Sequence, residues 1–170
     1  MNERKGIITF GGDPVTLLGD ETKVGSKAPE FKALKNDLSE FSLDEVKGKV
    51  VIISSVPSID TPVCELQTKR FNEEAAKLGD AVVLTLSCDL PFAQSRFCAA
   101  DGIDKVIVLS DHRDLDFGTK YGLVIKELRL LARAITIIDK DGTIKYQEIV
   151  SEVTNHPDYN KALEEAKKLI

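Results

Sequence analysis

Apolar positions along the chain come in short runs separated by glycine, proline and polar turns. Val50-Val51-Ile52-Ile53-Ser54-Ser55-Val56 is of strand length and rich in β-branched residues. A run this apolar, feeding straight into a helix, predicts a central strand covered on both faces. Pro57-Ser58-Ile59-Asp60 breaks it, and helical spacing follows from Pro62 through Leu78, with Gly79 as the stop. Apolar runs at 81–87, 105–110 and 132–138 predict further strands. Asp89-Leu90-Pro91 opens a helix over 91–100, with Asp89 as the candidate cap. A short helix or turn is expected at 115–122. Asp141-Gly142 predicts a hairpin into an antiparallel strand at 143–149, and a last helix runs from 157 to 169.

The beginning of the chain reads differently. Runs at 6–10 and 15–19 flank Gly11-Gly12-Asp13-Pro14, which predicts a β-hairpin with a turn longer than two residues. A polar linker follows at 20–29, then weak strand pieces at 31–34 and 41–43. Strand–helix–strand–helix–strand, closed by a hairpin and a helix, predicts an α/β layered fold with a mixed sheet. Residues 1–170 are expected to form one domain, with 1–19 as a hairpin extension.

Composition narrows the function classes. Net charge is −5 with no long run of one sign, which argues against nucleic acid or an anionic membrane as partner. No apolar run approaches the roughly 20 residues that a membrane span needs. Met1-Asn2-Glu3-Arg4-Lys5-Gly6 leads into no signal-peptide core, so a cytoplasmic protein is expected. Three cysteines in such a chain are inert or catalytic rather than a disulfide scaffold. They form no CxxC pair, and His112 and His156 lie far from them in sequence. No metal site is expected.

Two residues stand out chemically. Thr61 is a good helix N-cap and Pro62 suits the first helical position, which puts Cys64 at the third. Free N–H groups and the positive end of the helix dipole point there, and both favour the thiolate, the nucleophilic form. The competing reading is a buried structural cysteine. Arg133 shares a strand face with Ile135 and Ile137 by period two. Buried charge is costly without an anionic partner, and a thiolate at a neighbouring strand end is one such partner. An arginine reaching solvent from the strand start is the alternative.

Pro57-Ser58-Ile59-Asp60-Thr61-Pro62-Val63-Cys64 fits the PxxxTxxC signature of peroxiredoxins. Together with Pro91-Phe92-Ala93-Gln94-Ser95-Arg96-Phe97-Cys98 downstream, it resembles the bacterial thiol peroxidase branch, atypical two-cysteine peroxiredoxins. The resemblance runs from Thr9-Phe10-Gly11 to the last helix. It implies a thioredoxin-like fold, a homodimer, and reduction of hydrogen peroxide and alkyl hydroperoxides. No cofactor is needed, because sulfur does the redox work, and thioredoxin is the implied reductant.

The resemblance also implies the site. Cys64 attacks the peroxide, Thr61 faces the sulfur, and Pro57 shapes and shields the loop. Arg133 rather than Arg129 serves the peroxide site. Cys98 resolves the sulfenic acid, whereas Cys88, following a buried strand, reads as a small core residue. A disulfide needs Cα atoms within about 7 Å, and the two cysteines start on different helices. The turn at Cys64, the Cys98 segment or both are therefore expected to unwind in each cycle. Two departures stand out: Glu65 adds a carboxylate beside the sulfur, and 125–129 carries unexpected charge. Two rival readings remain, a redox sensor using the same disulfide and a thioredoxin-fold binding module with inert cysteines.

Overall fold

The computed structural model describes residues 1–170. The chain runs β1 (Glu3–Phe10), β2 (Asp13–Leu18), β3 (Lys32–Leu34), β4 (Glu40–Ser42), β5 (Val51–Ser55) and α1 (Pro62–Ala75). It continues through β6 (Val82–Ser87), α2 (Pro91–Asp101), β7 (Ile107–Ser110), α3 (Asp116–Lys120), β8 (Val124–Ile125) and β9 (Leu130–Leu131). It ends with β10 (Ala134–Ile138), β11 (Ile144–Ile149) and α4 (Tyr159–Lys167). Seven strands form one mixed sheet in the order β11-β10-β5-β6-β7-β3-β4. Strands β5, β6 and β7 are parallel, and β10 pairs antiparallel with β5 and β11. This is the expected thioredoxin-like arrangement, a mixed sheet with flanking helices.

The central strands bury both faces, as their composition requires. Val51 and Ile53 pack on one side with Leu84, Leu86 and Phe117. Ile52 packs on the other with Phe71, Ile135, Ile137 and Ala162. Full burial of each such side chain is worth about 1.5–3 kcal/mol. That alternation fixes the register, and the end of β5, with the start of α1 beyond it, lies at the carboxyl ends of the parallel strands.

Several boundaries differ from the sequence reading. The N-terminal hairpin turns in two residues, not more: Phe10 pairs with Asp13 across Gly11-Gly12. Both glycines have positive φ, 61° and 88°, which permits the tight turn that matches strand twist. Helix α1 ends at Ala75 rather than Leu78, although Gly79 does take positive φ just beyond it. The charged stretch at 125–129 is the loop of a hairpin, β8–β9, that joins β1 and β2 in a second, four-stranded sheet. Glu127 accepts a hydrogen bond from the Thr16 amide, and Lys126 pairs with Glu3. The unexpected charge thus fastens the N-terminal hairpin.

Glu152 fastens the hairpin tip. It accepts hydrogen bonds from the Thr9 hydroxyl and the Gly11, Gly12 and Thr154 amides. Those bonds, first among them the Thr154 amide, pull its carboxyl down to about 2. A carboxylate with a lowered native value contributes stability above its unfolded value, and the contribution is lost as pH falls through the native one. Protection of the amides at residues 9–12, taken relative to their intrinsic exchange rate at each pH, is therefore expected to fall from pH 4.5 toward pH 2 in the native protein. In Glu152→Gln that protection should already be low at pH 7. Unchanged protection in the variant would contradict this.

Candidate active site

Strand β5 delivers the chain to residues 56–61, and α1 starts at Pro62. The carboxyl ends of parallel strands are where such sheets present functional groups. Thr61 is the N-cap residue, with extended backbone (φ −110°, ψ 149°), so Cys64 is at the third helical position, as expected. The buried face of α1 is Cys64, Gln67, Thr68, Phe71 and Ala75, the spacing of a single helical stripe. Cys64 is fully buried, at 0% exposure, under Val56 and Ile59, with Phe97 of α2 against the same cluster.

Arg133 meets it. Arg133 is 2% exposed, and its Nη2 donates to Cys64 Sγ at 3.1 Å. Nε donates to the Val153 carbonyl and Nη1 to Gln67 Oε1, each at 2.8 Å. Gln67 Nε2 in turn donates to Ser54 Oγ at 2.7 Å. The three acceptors come from two segments, α1 and the loop after β11, and each takes a different nitrogen, so the arginine fork is locked in one orientation. Arg133 directly precedes β10 rather than lying within it. The expected face holds nonetheless: Ile135 and Ile137 pack in the same cluster as Phe71 of α1. Arg129 instead donates to the His112 carbonyl on the surface.

Gln67 and Ser54 were not singled out by the sequence reading. A signal existed. Gln67 falls three residues after Cys64 on the helix, and Ser54, with Ser55, interrupts the apolar run 50–56. Buried polar side chains demand partners, and these two partner each other and Arg133.

The other expected residues are placed as follows. Pro57 is buried at the end of β5. The Thr61 hydroxyl donates to the Ser58 carbonyl at 3.1 Å and makes neither a capping bond nor a bond to the Cys64 sulfur. The turn that brings Ser58 back onto Thr61 takes up the hydroxyl, leaving first-turn N–H groups without a side-chain cap. Glu65 turns away from the sulfur and pairs with Lys69 at 2.6 Å. Asp89 does not cap α2, whose N-cap is Leu90 without a side-chain bond. Its carboxylate is drawn instead to the Cys64 loop, described below.

All three cysteines are free. Cys98 is half-buried near the end of α2, with Asn36 Nδ2 3.9 Å from its sulfur. Burial pushes the Cys98 thiol up, against a smaller lowering by Asn36. Cys88 packs against the first core, and burial, aided by the charge of Asp111, pushes it up to about 12. Cys64 and Cys98 hold different partners, and Phe97 packs both against the Cys64 cluster and against the second core. Near the site, His156 Nδ1 lies 2.8 Å from the Tyr159 hydroxyl. Burial raises that phenol to about 12. No group of three or more His, Cys, Asp or Glu side chains is placed to hold a metal ion.

A family model described as Redoxin matches residues 23–163. A thiol peroxidase of Bacillus subtilis (strain 168) is 62% identical over 163 residues, covering 96% of this chain and 98% of that one. The chain belongs to the redoxin family, in its thiol peroxidase branch. The thiol peroxidase of Halalkalibacterium halodurans is 61% identical, over 94% of this chain and 96% of that one. The crystal structure of a peroxiredoxin-like protein from Aquifex aeolicus superposes with a TM-score of 0.91 at 44% identity, over 98% of both chains. A thiol peroxidase from Chromobacterium violaceum shares the fold, with a TM-score of 0.85 at 17% identity, over 95% of both chains. Thiol peroxidase relatives and redoxin fold therefore agree with the peroxiredoxin signature at residues 57–64. No helix is long and apolar enough to cross a membrane.

Proposed function

We propose that the chain is a thiol-dependent peroxidase that reduces hydrogen peroxide and alkyl hydroperoxides through Cys64 and recycles through an intramolecular Cys64–Cys98 disulfide. The observation that carries this reading is the buried contact between Arg133 Nη2 and Cys64 Sγ. A buried guanidinium needs a counter-charge. Its hydrogen-bond partners here are a carbonyl, an amide oxygen and a sulfur, and of these only the sulfur can ionise. A thiolate at Cys64 supplies that charge, and the start of α1 adds its dipole.

The thiolate attacks one peroxide oxygen. The S–O bond forms, the O–O bond breaks, and the other oxygen leaves as alkoxide or hydroxide and takes up a proton. Sulfur loses two electrons and the peroxide gains them. Negative charge moving onto the leaving oxygen needs preorganised donors. Arg133 is one, and the Thr61 hydroxyl becomes another by turning from Ser58 toward the sulfur. Pro57 caps the end of β5 and shields the loop. Cys98 thiolate then attacks the Cys64 sulfenic sulfur: the S–S bond forms, the S–O bond breaks, and hydroxide leaves as water. A dithiol protein, thioredoxin by resemblance, reduces the disulfide by exchange. The homodimer implied by the resemblance has apolar surface available, since Leu66, Leu90 and Phe92 are each more than half exposed near the starts of α1 and α2. Sedimentation as an 18.7 kDa species alone would remove that assembly.

A thiol count with peptide mapping tests the reading. One equivalent of peroxide added to fully reduced protein is expected to remove two thiols and to link Cys64 with Cys98 in one chain. Loss of Cys64 alone would assign resolution to an external thiol. No loss would return Cys64 to a structural cysteine and leave only a binding role.

A further inference from the structure

Asp89 occupies the joint between the two redox segments. Its Oδ1 accepts the Ser58 hydroxyl at 2.7 Å, and its Oδ2 accepts the Ile59 amide at 2.9 Å and the Ser87 hydroxyl at 2.6 Å. Ser58 and Ile59 belong to the loop before Cys64, and the Ile59 side chain is buried in one cluster with Cys64 and Val56. Ser87 ends β6, and its hydroxyl also accepts from Gln94 Nε2 of α2 at 3.0 Å. The Asp89 carbonyl accepts the Ser110 hydroxyl from β7. Two residues after Asp89, α2 begins, and it carries Cys98. One carboxylate thus ties the Cys64 loop to the root of the Cys98 helix.

We propose that Asp89 is a positioning residue that latches residues 58–59 over Cys64 during peroxide attack and must let them go for the disulfide to form. The inference rests on the peroxidase reading. With the latch closed, Ile59 and the loop hold the first turn of α1, and with it the sulfur, against Arg133. Disulfide formation brings together two sulfurs that the reduced protein holds on separate partners, Arg133 and Asn36. Movement of the Cys64 loop away from β6 breaks the Ser58 and Ile59 bonds to Asp89. The same bonds therefore favour the first step and oppose the second.

Two rates separate this from a purely structural role. In Asp89→Asn the charge is lost and one of the two oxygens becomes an NH2 donor, so the Ser58 hydroxyl and the Ile59 amide can no longer each donate to an oxygen of their own. Sulfenic acid formation, followed in a Cys98→Ser background, is expected to slow about tenfold, the scale of one hydrogen bond to a charged group. Single-turnover disulfide formation, followed with Cys98 present, is expected to be unchanged or faster. Ser58→Ala, which removes a single bond, should shift both rates in the same directions by less and keeps the test open if Asp89→Asn fails to fold. Parallel slowing of both steps, or no change in either, would overturn the latch. Absence of sulfenic acid in the protein carrying Asp89 would instead refute the peroxidase reading itself.

Discussion

Arg133→Lys is expected to lower kcat/KM for hydroperoxide by roughly 10²–10³-fold, about 2.7–4 kcal/mol, the scale of losing one preorganised donor to a developing oxyanion. The variant keeps the charge and loses the fork. Arg133 reaches the Val153 carbonyl, Gln67 Oε1 and Cys64 Sγ through three different nitrogens. A lysine ammonium is one nitrogen on a flexible stem, and it cannot hold all three acceptors in those directions. Gln67 then loses its fixed partner and releases Ser54, while the Cys64 sulfur loses its directed donor. The fold should survive, because a cation still occupies the pocket and Val153 O remains within its reach. Stopped-flow peroxide consumption checks the rate, and a thermal melt checks the fold. Arg133→Ala should cost at least as much activity and also melt earlier, since it leaves Val153 O and Gln67 Oε1 buried and unpaired. A lysine variant with near-normal kcat/KM would mean that positive charge alone suffices and that the fork geometry is incidental.

The parts of this site that were legible in the sequence are the parts governed by short-range rules. Thr61-Pro62 places Cys64 at the third helical position because N-cap and first-turn preferences act over three residues. Arg133 could be aimed at the helix side of the sheet because side-chain parity carries through the start of β10, even though the residue itself lies just outside the strand. The same logic fails at Asp89. An Asp before Leu-Pro looks like a local cap, but its carboxylate is taken by Ser58 and Ile59, about 30 residues away in the chain. Only the tertiary fold brings β5 and β6 side by side and makes that choice. Gln67 and Ser54 were hidden for a related reason, since each is unremarkable alone and acquires meaning when α1 packs on β5. Strands β8 and β9, of two residues each, are too short for periodicity to register. The sequence makes the two-residue Gly11-Gly12 turn look longer because Pro14 is a turn former, whereas it sits in β2 opposite Thr9.

Cys98→Ser separates the two halves of the proposed cycle more sharply than any other change. Peroxide attack at Cys64 should proceed at its usual rate, because the Cys98 sulfur makes its one hydrogen bond with Asn36 and none with Arg133 or Cys64. Turnover with a dithiol reductant should fall about 10³-fold. The reason is concentration: a thiol carried on the same chain presents an effective concentration on the order of millimolar, against roughly micromolar reductant in solution. The stranded sulfenic acid is then open to a second peroxide and to irreversible sulfinic acid. Cys88 is not expected to rescue it. That thiol is held against the first core and pushed up to about 12 by burial, so little thiolate is present to attack. Cys88→Ser should accordingly leave turnover near normal. The measurement is a burst assay: one equivalent of peroxide consumed at the normal rate, then a stall, with mass spectrometry finding one added oxygen on the Cys64 peptide, and two after a second equivalent of peroxide has been consumed. Continued turnover in Cys98→Ser, combined with loss in Cys88→Ser, would transfer the resolving role to Cys88. Continued turnover in both would transfer it to the external reductant, in which case the half-buried position of Cys98 on α2 would be a matter of packing alone.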